Sequence, residues 1–188
     1  MKDTAEVKQQ ARSLINICST PTTRAISKFS LSSTWYSDNA KKDQLEKIGN
    51  AIQNLHRKYP KGSILFTMPK DSTVKRKDGR PNSRCAVHRS TDVDEGFLYC
   101  GARATNDYAN RWVAIHAYNR YVNRVVAAYL QDYGSEVGAV PSDDQFALSE
   151  MLQWLYRTRI RKDQPIDVYL LSSRMEKLLR AWLNDSPS

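Results

Sequence analysis

No apolar run of about 18 residues occurs in the chain, so no segment qualifies as a membrane-spanning helix, and no lipidation signature stands in its place. Cysteine is scarce as well. Three thiols at wide separations, an odd number, exclude a disulfide framework. The N-terminal MKDTAEVKQQAR has no apolar core of the kind a signal peptide needs, so a cytoplasmic location is expected. Also missing is a phosphate-binding loop, which requires GxxxxGK followed by Ser or Thr after a strand. The nearest approach, GFLYCGAR at 96–103, has the glycine spacing but neither the lysine nor the hydroxyl.

What the chain does have is positive charge. Its 29 basic and 20 acidic residues give a formal charge of +9, a long-range field that favours polyanions, nucleic acid first among them. At 188 residues and 40% hydrophobic content it suits one domain with an ordinary core.

Periodicity supplies the outline. Residues 1–40 are a poorly defined lead-in rich in Ser and Thr, with a possible strand near Lys28 to Ser32. From Asp43, the positions Leu45, Ile48, Ile52, Leu55 and Tyr59 alternate by three and four, an amphipathic helix stopped by Pro60-Lys61-Gly62. SILFTMP then reads as a buried strand. From Lys70 to Arg89, seven basic residues interrupted by Gly79, Pro81 and Asn82 have the composition of a long exposed loop.

CAVHR, GFLYCGA and RWVAIHAY are further strand candidates, and Asn119 to Leu130 returns to helical spacing. Ser142 with Gln145, and Ser173 with Glu176, form candidate capping boxes that mark two helix starts. IDVYLL between them is a strand. Short, nearly continuous apolar strands alternating with helices imply a three-layer α/β domain with a mostly parallel sheet.

Ala147 to Ser173 carries the clearest functional pattern. Gln153, Arg157 and Arg161 recur every four residues, which on one continuous helix stacks an amide and two guanidiniums along a face opposite Leu148, Met151, Leu152 and Leu155. An ordinary solvated face is the competing explanation. Cys85, His88 and Cys100 could be drawn as a metal site, but a structural zinc needs four ligands and no fourth stands out, so no metal is expected. No serine or cysteine sits in a nucleophile-elbow context near His56, His88 or His116.

The order of elements from about Leu45 to Leu183 resembles the second RecA-like lobe of a superfamily-two helicase or DEAD-like ATPase. Ala104, Thr105, Asn106, Asp107 and Tyr108 resemble motif V, and Gln153, Arg157 and Arg161 resemble motif VI. Tyr156 stands where that motif has glycine, and Ile160 is three residues after Arg157, which leaves Arg159 or Arg161 as the second arginine. The resemblance implies that residues 41–188 form a lobe whose arginines reach the γ-phosphate of ATP held with Mg by a separate first lobe or subunit. It also implies that the chain alone neither binds nor hydrolyses ATP.

DNA or RNA would then contact Thr105 and Asn106, with Lys75, Arg76, Lys77, Arg80 and Arg84 adding attraction that ignores sequence. A plain turn closed by side-chain hydrogen bonds is the other explanation of Thr105 and Asn106. Two functions of different class compete with the helicase-like lobe. One is a stand-alone basic nucleic-acid-binding protein, the other an adaptor docking on an acidic protein.

Overall fold

A computed structural model describes residues 4–37, 42–69, 96–102, 106–122 and 142–184. Along the chain these give α1 (Thr4–Leu14), β1 (Ile15–Cys18), α2 (Pro21–Ile26), α3 (Ser33–Ser37), α4 (Lys42–Lys58), β2 (Ile64–Thr67) and β3 (Val113–His116). After these come α5 (Asp143–Leu155), one turn of 3-10 helix at Arg159–Lys162, β4 (Ile166–Leu170) and α6 (Ser173–Asn184).

The four strands form a parallel sheet in the order β1-β4-β3-β2. β2 and β3 are buried at every position, as expected where both faces are covered. Side-chain alternation divides the core. Ile64, Phe66, Ile115 and Tyr169 face α2, α3 and α4, where they meet Ile26, Tyr36, Ile48 and Ile52. Leu65, Ala114, Val168 and Leu170 face α1, α5 and α6, meeting Ala11, Met151, Trp154, Met175 and Leu179. The chain is thus a three-layer α/β domain.

Several boundaries differ from the sequence reading. Residues 4–37 are no loose lead-in, because β1 pairs with β4 and α1 packs on α6. Lys28 to Ser32 is not a strand. The segment turns instead, with Leu31 in the left-handed region (φ 54°), its side chain fully buried and its carbonyl accepting from Asn119 N.

GFLYCGA contributes one bridge, Phe97 to Phe66 at the outer edge of β2, before Gly101 (φ 82°) turns the chain away. Asn119 to Val122 is not helical, and the remainder of that expected helix lies outside the described residues, as does CAVHR. Ser142 caps α5 through the expected box with Gln145. At α6 the cap is Ser172, one residue early: its hydroxyl accepts from Met175 N at 3.4 Å, and Glu176 pairs with Arg180 instead of reaching back.

The most consequential difference is the end of α5. Leu155 is its last residue, so Gln153, Arg157 and Arg161 do not share a helix face. Thr158 accounts for the break. Its backbone is extended (ψ −174°), and its fully buried hydroxyl donates to Leu155 O at 2.7 Å while capping the 3-10 turn that follows.

Candidate functional site

The two ends of the parallel sheet hold their cations in different ways. Beyond the carboxyl ends of β3 and β4, guanidiniums meet carboxylates. Arg120 pairs with Glu150 at 3.0 Å, and Arg174 with Asp144 at 2.6 Å. Arg174 also donates to Asn119 Oδ1 and to Arg120 O, and lies 4.5 Å from the Tyr121 ring centroid. These groups knit the loop after β3 to the start of α6.

Beneath them runs a buried chain. Thr67 Oγ1 lies 3.6 Å from Cys100 Sγ, which lies 3.6 Å from His116 Nε2, with the Trp154 ring edge-on to the imidazole. Burial, aided by the positive charge of Arg120, holds the His116 pKa down to about 3, so the ring is neutral. Burial likewise pushes the Cys100 thiol up to about 11. Both charged forms are disfavoured, as expected of side chains in the core. Among the described residues no three His, Cys, Asp or Glu side chains converge on a possible metal site, and Cys85 and His88 lie outside those residues.

At the amino ends of the strands, cations rest on neutral acceptors. Arg159 Nε donates to Pro165 O at 2.7 Å, Arg161 to Asn106 Oδ1, and Lys162 Nζ to Asn110 Oδ1 at 2.6 Å, whereas Arg157 Nη2 donates at 3.3 Å to Ala102 O, which follows Gly101 beside the Arg120–Glu150 pair. Arg159 N is tied to Arg111 O just before β3, which fixes the 3-10 turn against this rim. None of these four cations pairs with a carboxylate among the described residues.

Aromatic rings are interleaved with this charge. Lys58 Nζ lies 5.1 Å from the Tyr59 centroid, Tyr59 meets Trp112 edge-on at 5.2 Å, and Arg159 lies over Trp112 at 5.3 Å. Tyr59 also shares a 2.7 Å hydrogen bond with Tyr169 and donates to Asp167 at 3.3 Å. Burial first, then the Tyr169 contact, raises its pKa.

Of the residues singled out from sequence, Arg161 and Asn106 are in contact. Gln153 donates to Ser149 Oγ and, with Arg157, lines a cavity of about 20 Å³ beside Tyr99, Gly101 and Glu150, room for little more than one water. Thr105, Lys75, Arg76, Lys77, Arg80 and Arg84 lie outside the described residues. Lys162 and Trp112 were not picked out, although the run RTRIRK at 157–162 carries four cations within six residues.

No helix among the described residues is long and apolar enough to cross a membrane. No solved structure matches the chain. A curated relative, the SPbeta prophage-derived uncharacterized protein YonV of Bacillus subtilis (strain 168), is 33% identical over 162 residues, which cover 84% of this chain and 35% of the relative. The chain thus spans about a third of that protein's length. The family model for the YonV C-terminal Rossmann-like domain matches residues 9–183, from within α1 to the last turn of α6, so the match takes in all four strands. The chain belongs to the YonV C-terminal Rossmann-like domain family.

Proposed function

We propose that this Rossmann-like domain is a nucleic-acid-binding module whose amino-end rim meets the phosphate backbone. One observation carries the reading: Arg159, Arg161 and Lys162, all in one 3-10 turn, rest on neutral acceptors, while Arg120 and Arg174 at the opposite end are matched by carboxylates. A guanidinium on an amide keeps its full charge, whereas one on a carboxylate leaves almost no net field beyond the pair. Charges within one Debye length, about 8 Å at physiological salt, add to a local potential that a polyanion senses. Amide and carbonyl partners are also exchanged for phosphate oxygens at little cost, since they are neutral and can be rehydrated. The loop cations Lys75, Arg76, Lys77, Arg80 and Arg84 would extend the same attraction.

The test is the salt dependence of binding to a labelled duplex. Each phosphate contact contributes a slope of about 0.9 in log affinity against log salt. Arg161→Ala with Lys162→Ala should flatten the slope by up to about two such contacts. No binding at low salt, or an unchanged slope, refutes the proposal. Capture of an acidic polypeptide in preference to nucleic acid would favour the adaptor.

A second reading is the helicase-like lobe that supplies arginines to ATP and Mg held elsewhere. It is favoured by the contact of Arg161 with Asn106, which joins the two segments resembling motifs V and VI. It ranks second because Arg161 lies at the amino end of the sheet, while open α/β sheets bind nucleotides outside the carboxyl ends. Its measure is ATP turnover by Arg157→Ala and Arg161→Ala with a first lobe present. A loss of several orders of magnitude supports it and full turnover removes it.

A further inference from the structure

We propose that the amino-end rim prefers a single nucleic-acid strand to a duplex, and that unpaired bases stack on the platform made by Arg159 and Trp112. The inference rests on the nucleic-acid reading above and adds the form of nucleic acid recognised.

A duplex presents phosphates and groove edges, but its base faces are already stacked on one another. Only an unpaired strand offers those faces to a protein, so rings interleaved with cations at a surface are matched to single strands. The rim has this composition across three elements. Lys58 and Tyr59 come from the end of α4, Trp112 from the residue before β3, and Arg159 from the 3-10 turn, each cation lying over a ring and the two rings meeting edge to face. Arg111 over Tyr108 continues the pattern at 5.4 Å.

Arg159 is the centre of the argument because its position is fixed on two sides. Nε donates to Pro165 O at 2.7 Å and the guanidinium carbon lies over the indole, 5.3 Å from its centroid, so a planar cation is held in place before any ligand arrives. Holding it in advance lowers the ordering cost of binding. A guanidinium stacks on a base as well as on an indole, which an ammonium cannot do. Arg161 and Lys162 follow Arg159 in the same 3-10 turn and can take phosphates next to a stacked base.

The duplex alternative fits less well. Reading a major groove usually requires a helix to enter it, whereas the cations here project from a four-residue 3-10 turn and from loops. The inner edges of Tyr59 and Trp112 do pack against the α4-side core, so a purely structural role would leave strand and duplex equivalent.

The experiment uses the full chain with fluorescein-labelled oligo(dT) of about 20 nucleotides and a duplex of equal length, at several salt concentrations. The strand is expected to bind at least about tenfold more tightly than the duplex at equal salt, the size of one base stack, and to quench tryptophan emission. In Trp112→Phe, which keeps a ring in the core, most of that quenching should disappear. Arg159→Lys, a charge-conserving change at the surface, should lower single-strand affinity about tenfold without altering the salt slope. Equal affinity for strand and duplex overturns the preference and leaves nucleic-acid binding standing. A preference that survives Arg159→Lys overturns the platform. Failure to bind either probe removes both proposals together.

Discussion

His116 should make this domain sensitive to mild acid. Its imidazole is fully buried at the carboxyl end of β3, with Cys100 Sγ at Nε2, the Trp154 ring against one side and no hydrogen-bond partner for Nδ1 among the described residues. A proton would place a charge there without solvent and near Arg120, which is why the pKa falls to about 3 from the ordinary 6.5. The pKa is depressed on folding, so the unfolded chain takes up the proton first. Stability is then fully present above pH 6.5 and is lost as pH falls toward 3.

Linkage gives the size. Between pH 8 and pH 5 the single site should remove roughly 2 kcal/mol, and by pH 3 about 4 kcal/mol, a large share of the stability of an ordinary domain. The assay is urea unfolding at intervals from pH 8 to pH 5, on the natural chain and on His116→Leu. Leucine changes absolute stability by altering contacts with Cys100 and Trp154, so the quantity to compare is the slope of stability against pH, which should lose close to one proton. Identical slopes in the two proteins would show that His116 is reached by water or finds a partner when charged, and the argument from burial would fail.

Two further predictions concern backbone. Gly96→Ala should cost about 1–3 kcal/mol by crowding, because a Cβ there would lie 2.8 Å from Ile64 O while hydrogen bonds from Phe66 N and to Phe66 O hold the segment against β2; thermal unfolding at neutral pH measures it. Thr158→Ala should lower stability by about 1–2 kcal/mol through loss of the cap, and a gain in helical circular dichroism would accompany any extension of α5 past Leu155.

Elements with wide apolar faces were legible in the sequence and those with narrow ones were not. α4 buries Leu45, Ile48, Ile52 and Leu55 at regular spacing, and β2 and β4 are short apolar runs between turn formers, so each could be placed within a residue or two. α1 offers only Val7, Ala11 and Leu14, a stripe one residue wide, because it covers the margin of the sheet beside α6. β1 sets Ile15 and Ile17 against the α1-side core and Cys18 against the α4-side core, with Asn16 exposed, and four residues are too few to stand out. GFLYCGA misled for the opposite reason. Leu98 and Cys100 are buried as in a strand, yet among the described residues the segment pairs only through the Phe97–Phe66 bridge at the margin of β2.

The candidate site was half legible. Four-residue spacing drew attention to this stretch of chain but assumed a helix through Arg161, and the chain is redirected by a single threonine, Thr158. The break has a physical consequence for function. On a continuous helix Arg157 and Arg161 would stand one turn apart with parallel side chains, the arrangement suited to converging on one phosphate. With the chain redirected at Thr158, Arg157 turns to Ala102 and Arg161 to Asn106, while Arg159, which a continuous helix would place on another face, comes to rest on Trp112. Under the nucleic-acid proposal, cations held on separate acceptors would meet separate phosphates rather than converge on a single γ-phosphate. That geometric difference is the reason to test a nucleic-acid strand before a nucleotide.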